Sequence, residues 1–249
     1  MRVELIRVVS MSNILAIESS TSASSVALFD GDVMLHLEHS APRGHARFLL
    51  GAVEGLLTQC SLPKSSLSAI AFTEGPGSFT GLRIGFGFAQ GLAYALDVPM
   101  VPICSLRAMA AGALEVTAAP SMLAVIDARM GEVYWQVFDT SVGTPVEKTL
   151  PQLSAIGELG AATKLHSDSQ TLIVHAELDA GALAVIHAQL PPARPYAHRS
   201  VSPRAVDGAR LGFAQMGEGK VVAAADAQLL YVRNSVAWAK SAPTNPIQL

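Results

Sequence analysis

Residues 75–85 read Gly-Pro-Gly-Ser-Phe-Thr-Gly-Leu-Arg-Ile-Gly, and this glycine-rich stretch says most about the fold. It begins as a sharp turn, and the apolar spacing that follows predicts a helix from about Phe79 to Leu96. The stretch lacks the Gly-Lys-Ser/Thr ending of a P-loop and the Gly-x-Gly-x-x-Gly order of a dinucleotide-binding turn. A glycine-rich turn at a helix N-terminus still predicts a place that could accept an anion.

Glycine is unusually frequent in the predicted helix. Gly81 and Gly85 are four residues apart, and so are Gly87 and Gly91. Each glycine costs roughly 1 kcal/mol relative to alanine inside a helix, so the pattern indicates that another segment approaches this backbone closely. The approaching segment is either the chain's own sheet or a helix of a partner, and the residue types leave both alternatives open.

Short apolar strands lie on both sides of this helix in the sequence. They are predicted at residues 13–17, 26–29, 33–38, 67–73 and 100–103. The first three are separated only by turns, so they predict three consecutive antiparallel strands. A helix with one broad apolar stripe is predicted from Arg43 to Cys60.

A second unit follows Pro120. It contains a predicted hairpin at residues 122–139, a strand at 171–176 and a helix that starts at Ser202-Pro203. Strand groups that alternate with helices predict an α/β layered fold in two subdomains. The first subdomain is expected at residues 13–104, joined by part of the C-terminal segment, and the second at residues 105–220.

The termini are expected to lie outside this fold. Residues 1–12 lack the long apolar region and small-residue cleavage site of a signal peptide, so they predict an N-terminal extension, with Met11 as the natural start. Residues 240–249, which contain two prolines, predict a loose tail.

Composition favours a protein with a large apolar interface. Half of the 249 residues are apolar and 15% are charged, yet no apolar run approaches the roughly 18 residues of a membrane span. A net charge of −3 disfavours a nucleic-acid binder acting alone, but not a subunit whose partner supplies the cations. Cys60 and Cys104 form no Cys-x-x-Cys pattern, which predicts a reducing compartment, the cytoplasm.

A polar hairpin between the first two strands, Glu18 to Ser25, is rich in hydroxyl groups. Such a hairpin can hold a phosphate, which makes Ser19, Ser20 and Thr21 candidates for nucleotide contacts. The alternative is an ordinary polar turn, and the residue types do not decide between the two.

Other polar residues do not form a recognisable catalytic or metal site. His36 and His39 are three residues apart in a predicted strand, which places them on opposite faces, so no metal site is predicted. Asp127 and Arg129 flank a hairpin turn, either as part of a polar site or as a simple arginine–carboxylate pair. No nucleophile occurs with a base and an orienting group, so no catalytic residue is predicted.

Four stretches together are similar to one protein family. They are Ile-Leu-Ala-Ile-Glu-Ser-Ser-Thr at 14–21, the run at 75–85, Ile-Asp-Ala-Arg-Met-Gly-Glu-Val-Tyr-Trp at 126–135, and Tyr-Val-Arg-Asn-Ser-Val-Ala-Trp at 231–238. They resemble the TsaB family, also called YeaZ. The similarity is good over residues 13–109 and 122–136, moderate over 202–240 and weak over 141–200.

The resemblance implies an ASKHA fold (actin, sugar kinase, Hsp70) with two subdomains, each a mixed sheet flanked by helices. It also implies a role in making N6-threonylcarbamoyladenosine next to the anticodon of tRNAs that read A-starting codons. In that pathway TsaC makes threonylcarbamoyl-adenylate. TsaD then transfers the group to tRNA together with a TsaB-family subunit and the ATPase TsaE.

The resemblance further implies how the chain meets its partners. TsaB-family proteins bind TsaD through their first two helices, which match residues 43–60 and 79–96 here, and the same surface can form a homodimer in isolation. The partner-binding residues are therefore expected to be Phe48, Leu49, Val53, Leu56, Gly81, Gly85 and Ala89.

Two departures from TsaD-like chains imply that this chain is not an enzyme on its own. Where those chains have the metal ligands His-x-x-x-His, this chain has Cys104-Ser-Leu-Arg-Ala-Met109, and it lacks a second glycine-rich phosphate loop. A non-catalytic scaffold that stabilises TsaD is therefore expected, with no cofactor of its own, ATP or ADP at the complex interface, and tRNA bound through the complex. The alternative is a metallopeptidase- or ATPase-type enzyme of the same superfold.

Overall fold

The structure is a computed structural model that describes residues 12–40, 44–163, 171–189 and 198–233. The expected N-terminal extension apart from Ser12, the proposed start at Met11 and the expected tail at 240–249 lie outside the described residues.

Within these ranges the first sheet has five strands in the order β3-β2-β1-β4-β5. Their bounds are β1 Asn13–Glu18, β2 Ser24–Phe29, β3 Met34–His39, β4 Leu67–Gly75 and β5 Met100–Cys104. The first three strands are antiparallel neighbours, as the two turns predict, while β4 and β5 run parallel to β1. Every residue of β1 is buried, because helices cover both faces of the sheet.

Two helices pack side by side on one face of this sheet. They are α1, His45–Gln59, and α2, Phe79–Leu96, which has the predicted bounds. The hydroxyl oxygen of Ser78 caps α2 by accepting the Gly81 backbone N–H at 3.3 Å. The apolar stripe of α1 faces the sheet, so this layer forms one continuous core with the side chains of β1 and β4.

The second sheet has six strands in the part of the chain that the structure describes. They are β6 Ser121–Arg129, β7 Glu132–Asp139, β8 Val146–Glu147, β9 Gln152–Ala155, β10 Thr171–Ala176 and β11 His198–Ser200. The order is β11-β10-β6-β7-β8, and β9 also pairs with β7. The predicted 122–139 hairpin and the predicted strand at 171–176 are both confirmed.

Helices cover the second sheet on both faces. One face is covered by α3, Ser105–Leu114, and the other by α4, Leu159–Thr163, and α5, Ala180–Ala188. A 3₁₀ turn, Ile156–Glu158, runs directly into α4. The α5 helix was not expected from the sequence.

The last helix, α6 at Ala205–Gly217, returns to the first sheet and covers the face opposite α1 and α2. Close packing is needed there: a Cβ added to Gly212 would lie 2.9 Å from both Ala71 Cβ and Ile14 Cδ1. The expected end of the second subdomain at residue 220 is therefore too late, because α6 belongs with the first sheet. Among the described residues, the chain crosses between subdomains from β5 to α3 and from β11 to α6.

Candidate functional site

The carboxyl group of Glu18, at the end of β1, is buried and points into the protein. One of its oxygens accepts hydrogen bonds from the backbone N–H and the hydroxyl of Ser20, each 2.5 Å long, and the other accepts from the Thr73 hydroxyl. Burial raises the pKa of Glu18 above its ordinary value, although these donors oppose the shift. Glu18 therefore fixes the hairpin to β4 and does not face the cleft.

The three nucleotide candidates in the hairpin have different environments. The Ser19 hydroxyl donates to the Gly81 carbonyl at 2.9 Å, and the Ser20 hydroxyl donates to Glu18. Thr21 is also buried, but its hydroxyl has no partner among the described residues, and Thr21 lines the cleft between the subdomains. Of the three side chains, Thr21 alone has a free hydroxyl beside the cleft.

The glycines at the start of α2 accommodate this hairpin. A Cβ added to Gly77 would lie 2.9 Å from Ser20 Cβ, and one added to Gly85 would lie 3.2 Å from Ser19 Cβ. A Cβ on Gly81 would overlap the carbonyl oxygen of Ser19. The close approach that these glycines permit is made to the chain's own hairpin, which corrects the expectation that Gly81 and Gly85 admit the backbone of a partner.

Most of the other expected partner residues also face inward. Leu49, Val53, Leu56 and Ala89 are buried in the core between the helices and the first sheet. Phe48 is half-buried and stacks on His39, with 5.2 Å between the ring centroids. The four buried residues support the shape of α1 and α2 and cannot contact a partner directly.

A different set of residues forms the outer face of α1 and α2, the surface that points away from the sheet. On α1, Leu50 is 54% exposed. On α2, Tyr94 is 75% exposed, and a Cβ on Gly87 or Gly91 would have nothing within 4 Å beyond its own helix. The four-residue spacing of Gly87 and Gly91 was visible in the sequence, but not which glycine pair faces outward.

A cleft of about 400 Å³ lies between the subdomains. Its walls include His45 from the first subdomain and Arg129 from the second. Arg129 donates to Asp127 at 2.9 Å and to Glu177 at 3.3 Å, and Glu177 also accepts the backbone N–H of Ser22 at 2.6 Å. The turn is thus held by an arginine–carboxylate pair, and Glu177 connects the two subdomains across the cleft.

An exposed group of aromatic and cationic side chains, Phe79, Arg83 and Tyr231, lies at the N-terminal end of α2. We name it the aromatic platform. The rings of Phe79 and Tyr231 are 6.2 Å apart, and the Arg83 guanidinium carbon lies 3.9 Å from the Phe79 ring centroid. Arg83 Nε also donates to the Tyr231 hydroxyl at 3.3 Å. The platform borders a largely apolar groove of about 400 Å³ lined by Leu82 and Leu230.

Within the described ranges, no group of three His, Cys, Asp or Glu side chains has an arrangement that could hold a metal ion. Among the same residues, no helix combines the length and hydropathy needed to span a bilayer.

Comparison with known proteins identifies the family. The model of the family TsaD, tRNA N6-adenosine threonylcarbamoyltransferase, matches residues 38–170. The tRNA threonylcarbamoyladenosine biosynthesis protein TsaB of Escherichia coli K12 is 35% identical over 91% of this chain and 97% of its own. The chain belongs to the TsaB family. A TsaB protein of Haemophilus influenzae is 44% identical over 49% of this chain and 52% of its own length.

Solved structures of the TsaB family agree with this assignment. YeaZ from Pseudomonas aeruginosa has 32% sequence identity and a TM-score of 0.78, and the match covers 89% of this chain and 100% of that chain. Another structure from the same organism, described as similar to peptidase YEAZ, gives a TM-score of 0.79. The two mixed sheets flanked by helices and the match to the TsaD family model fit the expected ASKHA fold.

Proposed function

We propose that this TsaB-family chain is a non-catalytic, cytoplasmic subunit of the machinery that makes threonylcarbamoyladenosine in tRNA, and that it binds and stabilises the transferase TsaD. The name of its E. coli relative supports the pathway, and the match to the TsaD family model supports a paralogous partner of the same fold. TsaE and tRNA join through the complex, and without TsaD the chain pairs with a second copy through the same surface.

The observation that carries the proposal is the outer face of α1 and α2. Leu50 and Tyr94 expose large apolar surfaces there, and burial of such surface contributes about 25 cal/mol per Å². Gly87 and Gly91 add no side chains on this face, so a partner helix can approach the backbone closely. A surface with apolar anchors beside small residues suits a helix-to-helix interface.

The polar groups of the hairpin also support a scaffold. A catalytic residue needs a side chain that can reach a substrate, whereas Glu18, Ser19 and Ser20 are buried and bonded within the protein. Their positions favour a structural role for the hairpin, which anchors the start of α2.

The decisive experiment is co-elution of purified variants with TsaD on a sizing column. Gly87→Arg places a long charged side chain on the outer face without a clash inside the chain, so we expect a folded protein that no longer co-elutes. The matched control is Val142→Arg, which changes an exposed apolar residue of the second subdomain. Co-elution of a folded Gly87→Arg variant with TsaD would refute the interface.

We also place a nucleotide, ATP or ADP, at the boundary between the subunits, beside the aromatic platform. The platform offers ring faces for a base and a guanidinium for phosphate, and it adjoins the N-terminus of α2, at the end of the proposed interface. Calorimetry should detect ADP binding to the TsaD complex but not to the isolated chain. Tyr231→Ala should weaken that binding without loss of co-elution, and unchanged affinity would exclude the platform.

The rival is a self-sufficient metallopeptidase or ATPase. Tight stoichiometric binding of ATP or a metal ion by the isolated chain would favour the rival over the scaffold. A tRNA modification assay with each subunit omitted in turn completes the test: loss of modification without this chain, and no activity of this chain alone, is the expected result.

A further inference from the structure

Three histidines meet at the edge of the second sheet. His175 lies on β10, His198 on β11 and His187 on α5. The ring centroids of His175 and His198 are 5.6 Å apart, and those of His187 and His198 are 5.0 Å apart. His198 Nδ1 and His175 Nε2 are 3.4 Å apart, so one proton can be shared between two neutral rings. We call these residues the histidine cluster.

The buried ring of the cluster, His175, is poorly suited to a positive charge. His175 is 5% exposed, and its Nδ1 has no hydrogen-bond partner among the described residues. A second proton on His175 would therefore be a buried N–H without an acceptor, close to two other imidazole rings. Burial, followed by the neighbouring His198 and His187, lowers the pKa of His175.

Among the described residues, the elements packed around His175 supply no compensating carboxylate. Its register partner on β6 is Val125 and its partner on β11 is Ser200. Arg199 follows His198 on β11, so its side chain lies on the opposite face of the sheet and its positive charge is not part of the cluster. The only titratable group that α5 brings to the ring, among the residues described, is His187.

The two nearby carboxylates are engaged elsewhere. Glu177, two residues beyond His175, accepts from Arg129 and from the Ser22 backbone. Asp179 caps α5 by accepting the Ala182 N–H at 2.7 Å. A proton gained by the cluster at low pH is therefore not balanced by either acid.

The strand next to this cluster, β11, is short and lies just before the chain returns to the first subdomain. β11 has three residues, all exposed, and pairs only with β10 among the described strands. Just beyond it, the Val201 N–H donates to the His175 carbonyl at 3.0 Å. The chain then enters α6, which packs on the first sheet, so β11 forms the second crossover between the subdomains.

We propose that the histidine cluster is an acid-sensitive latch: neutral, it holds β11 against β10, and protonated, it releases β11 and loosens the crossover into α6. The latch is a property of the isolated chain and does not depend on the proposed binding of TsaD.

The direction of the pH effect follows from proton linkage. The unfolded or released segment binds a proton near the ordinary histidine pKa of about 6.5, whereas the closed cluster binds it only at lower pH. The stability of the closed latch is thus constant above about pH 7 and falls as the pH drops below 6.5. At pH 5.5, one unit below the ordinary pKa, the population of the open state should increase by up to about tenfold.

Hydrogen-exchange mass spectrometry at pH 7.5 and 5.5, corrected for intrinsic rates, tests the latch. We expect peptides covering 171–176 and 198–204 to exchange several-fold faster at pH 5.5, with β1 and β4 unchanged. His175→Gln removes the buried titrating ring and should abolish the difference. His39→Gln, which changes a histidine of the first sheet, should retain it.

Two results would overturn the latch. One is an equal acid response of the β11 peptides in His175→Gln, since the response would then have another source. The other is an NMR titration of the unmodified protein in which the His175 ring titrates at or above pH 6.5. The titration needs no substitution, so it decides the matter even if His175→Gln does not fold.

Discussion

Replacing Gly85 and Gly87 by alanine, one at a time, should change stability in opposite directions. The two glycines lie two residues apart in the interior of α2, so alanine brings each the same gain in helix propensity, about 1 kcal/mol. They differ in what the new Cβ meets. At Gly87 it meets nothing within 4 Å, whereas at Gly85 it lies 3.2 Å from Ser19 Cβ and displaces the Ser19 hydroxyl.

The cost at Gly85 follows from the hydrogen bond that is lost. The displaced hydroxyl can no longer donate to the Gly81 carbonyl at 2.9 Å, and buried polar groups left without a partner cost about 1–3 kcal/mol. After the helix gain, Gly85→Ala should lower the free energy of unfolding by about 1 kcal/mol, while Gly87→Ala should raise it by about 1 kcal/mol. The difference of about 2 kcal/mol corresponds to a gap in Tm of roughly 4–8 °C.

Thermal unfolding followed by circular dichroism, with urea titration of both variants, measures this gap in the isolated chain. The sign of the change in stability is diagnostic. If Gly85 faced outward, Gly85→Ala would stabilise the protein just as Gly87→Ala does. Equal stabilisation of the two variants would refute the conclusion that Gly85 packs on the chain's own hairpin.

Three further predictions concern buried polar groups. Partial burial, with the nearby Glu147 carboxylate as a smaller cause, raises the pKa of Glu74 to about 7. The free energy of unfolding of Glu74→Gln should therefore gain up to about 3 kcal/mol relative to the unmodified protein as the pH rises from 4.5 to above 7, as measured by urea denaturation at several pH values. Ser25→Ala should lower the free energy of unfolding by about 1–3 kcal/mol, because the Ser25 hydroxyl oxygen accepts the first N–H of α6 at 2.8 Å. Thr21→Val removes a hydroxyl that has no partner among the described residues, so the same assay should show no measurable change. Equal losses in the two variants would contradict these hydrogen-bond assignments. Burial raises the pKa of the Cys104 thiol to about 12, so iodoacetamide at pH 8 should label native protein at Cys60 only, and rapid labelling of Cys104 would contradict its burial.

Much of the first subdomain could be predicted because its turn residues and its apolar spacing indicate the same helices and strands. The turn and apolar spacing around residues 75–85 predict α2 with its observed bounds, and tight turns fix three antiparallel strands. The α5 helix, Ala180–Ala188, has apolar residues nearly all around it, so no helical stripe marks it.

The site could be predicted only in part, because periodicity shows which residues share a helix face but not what that face meets. Both glycine pairs of α2 were visible, yet only the fold shows that Gly85 meets the hairpin while Gly87 faces outward. The aromatic platform joins Arg83 to Tyr231, which is 148 residues away, and nothing local in the sequence brings such residues together.

The return of α6 to the first sheet has a consequence for how the protein is made. The face of that sheet carrying Ile14 and Ala71 stays uncovered until α6, near the end of the described chain, has been synthesised. The subdomain that begins at the N-terminus is therefore the last to be completed on the ribosome, contrary to the usual N-terminal-first order of co-translational folding. A nascent chain stalled before Ala205 would hold a bare apolar sheet face, which makes it a substrate for chaperones.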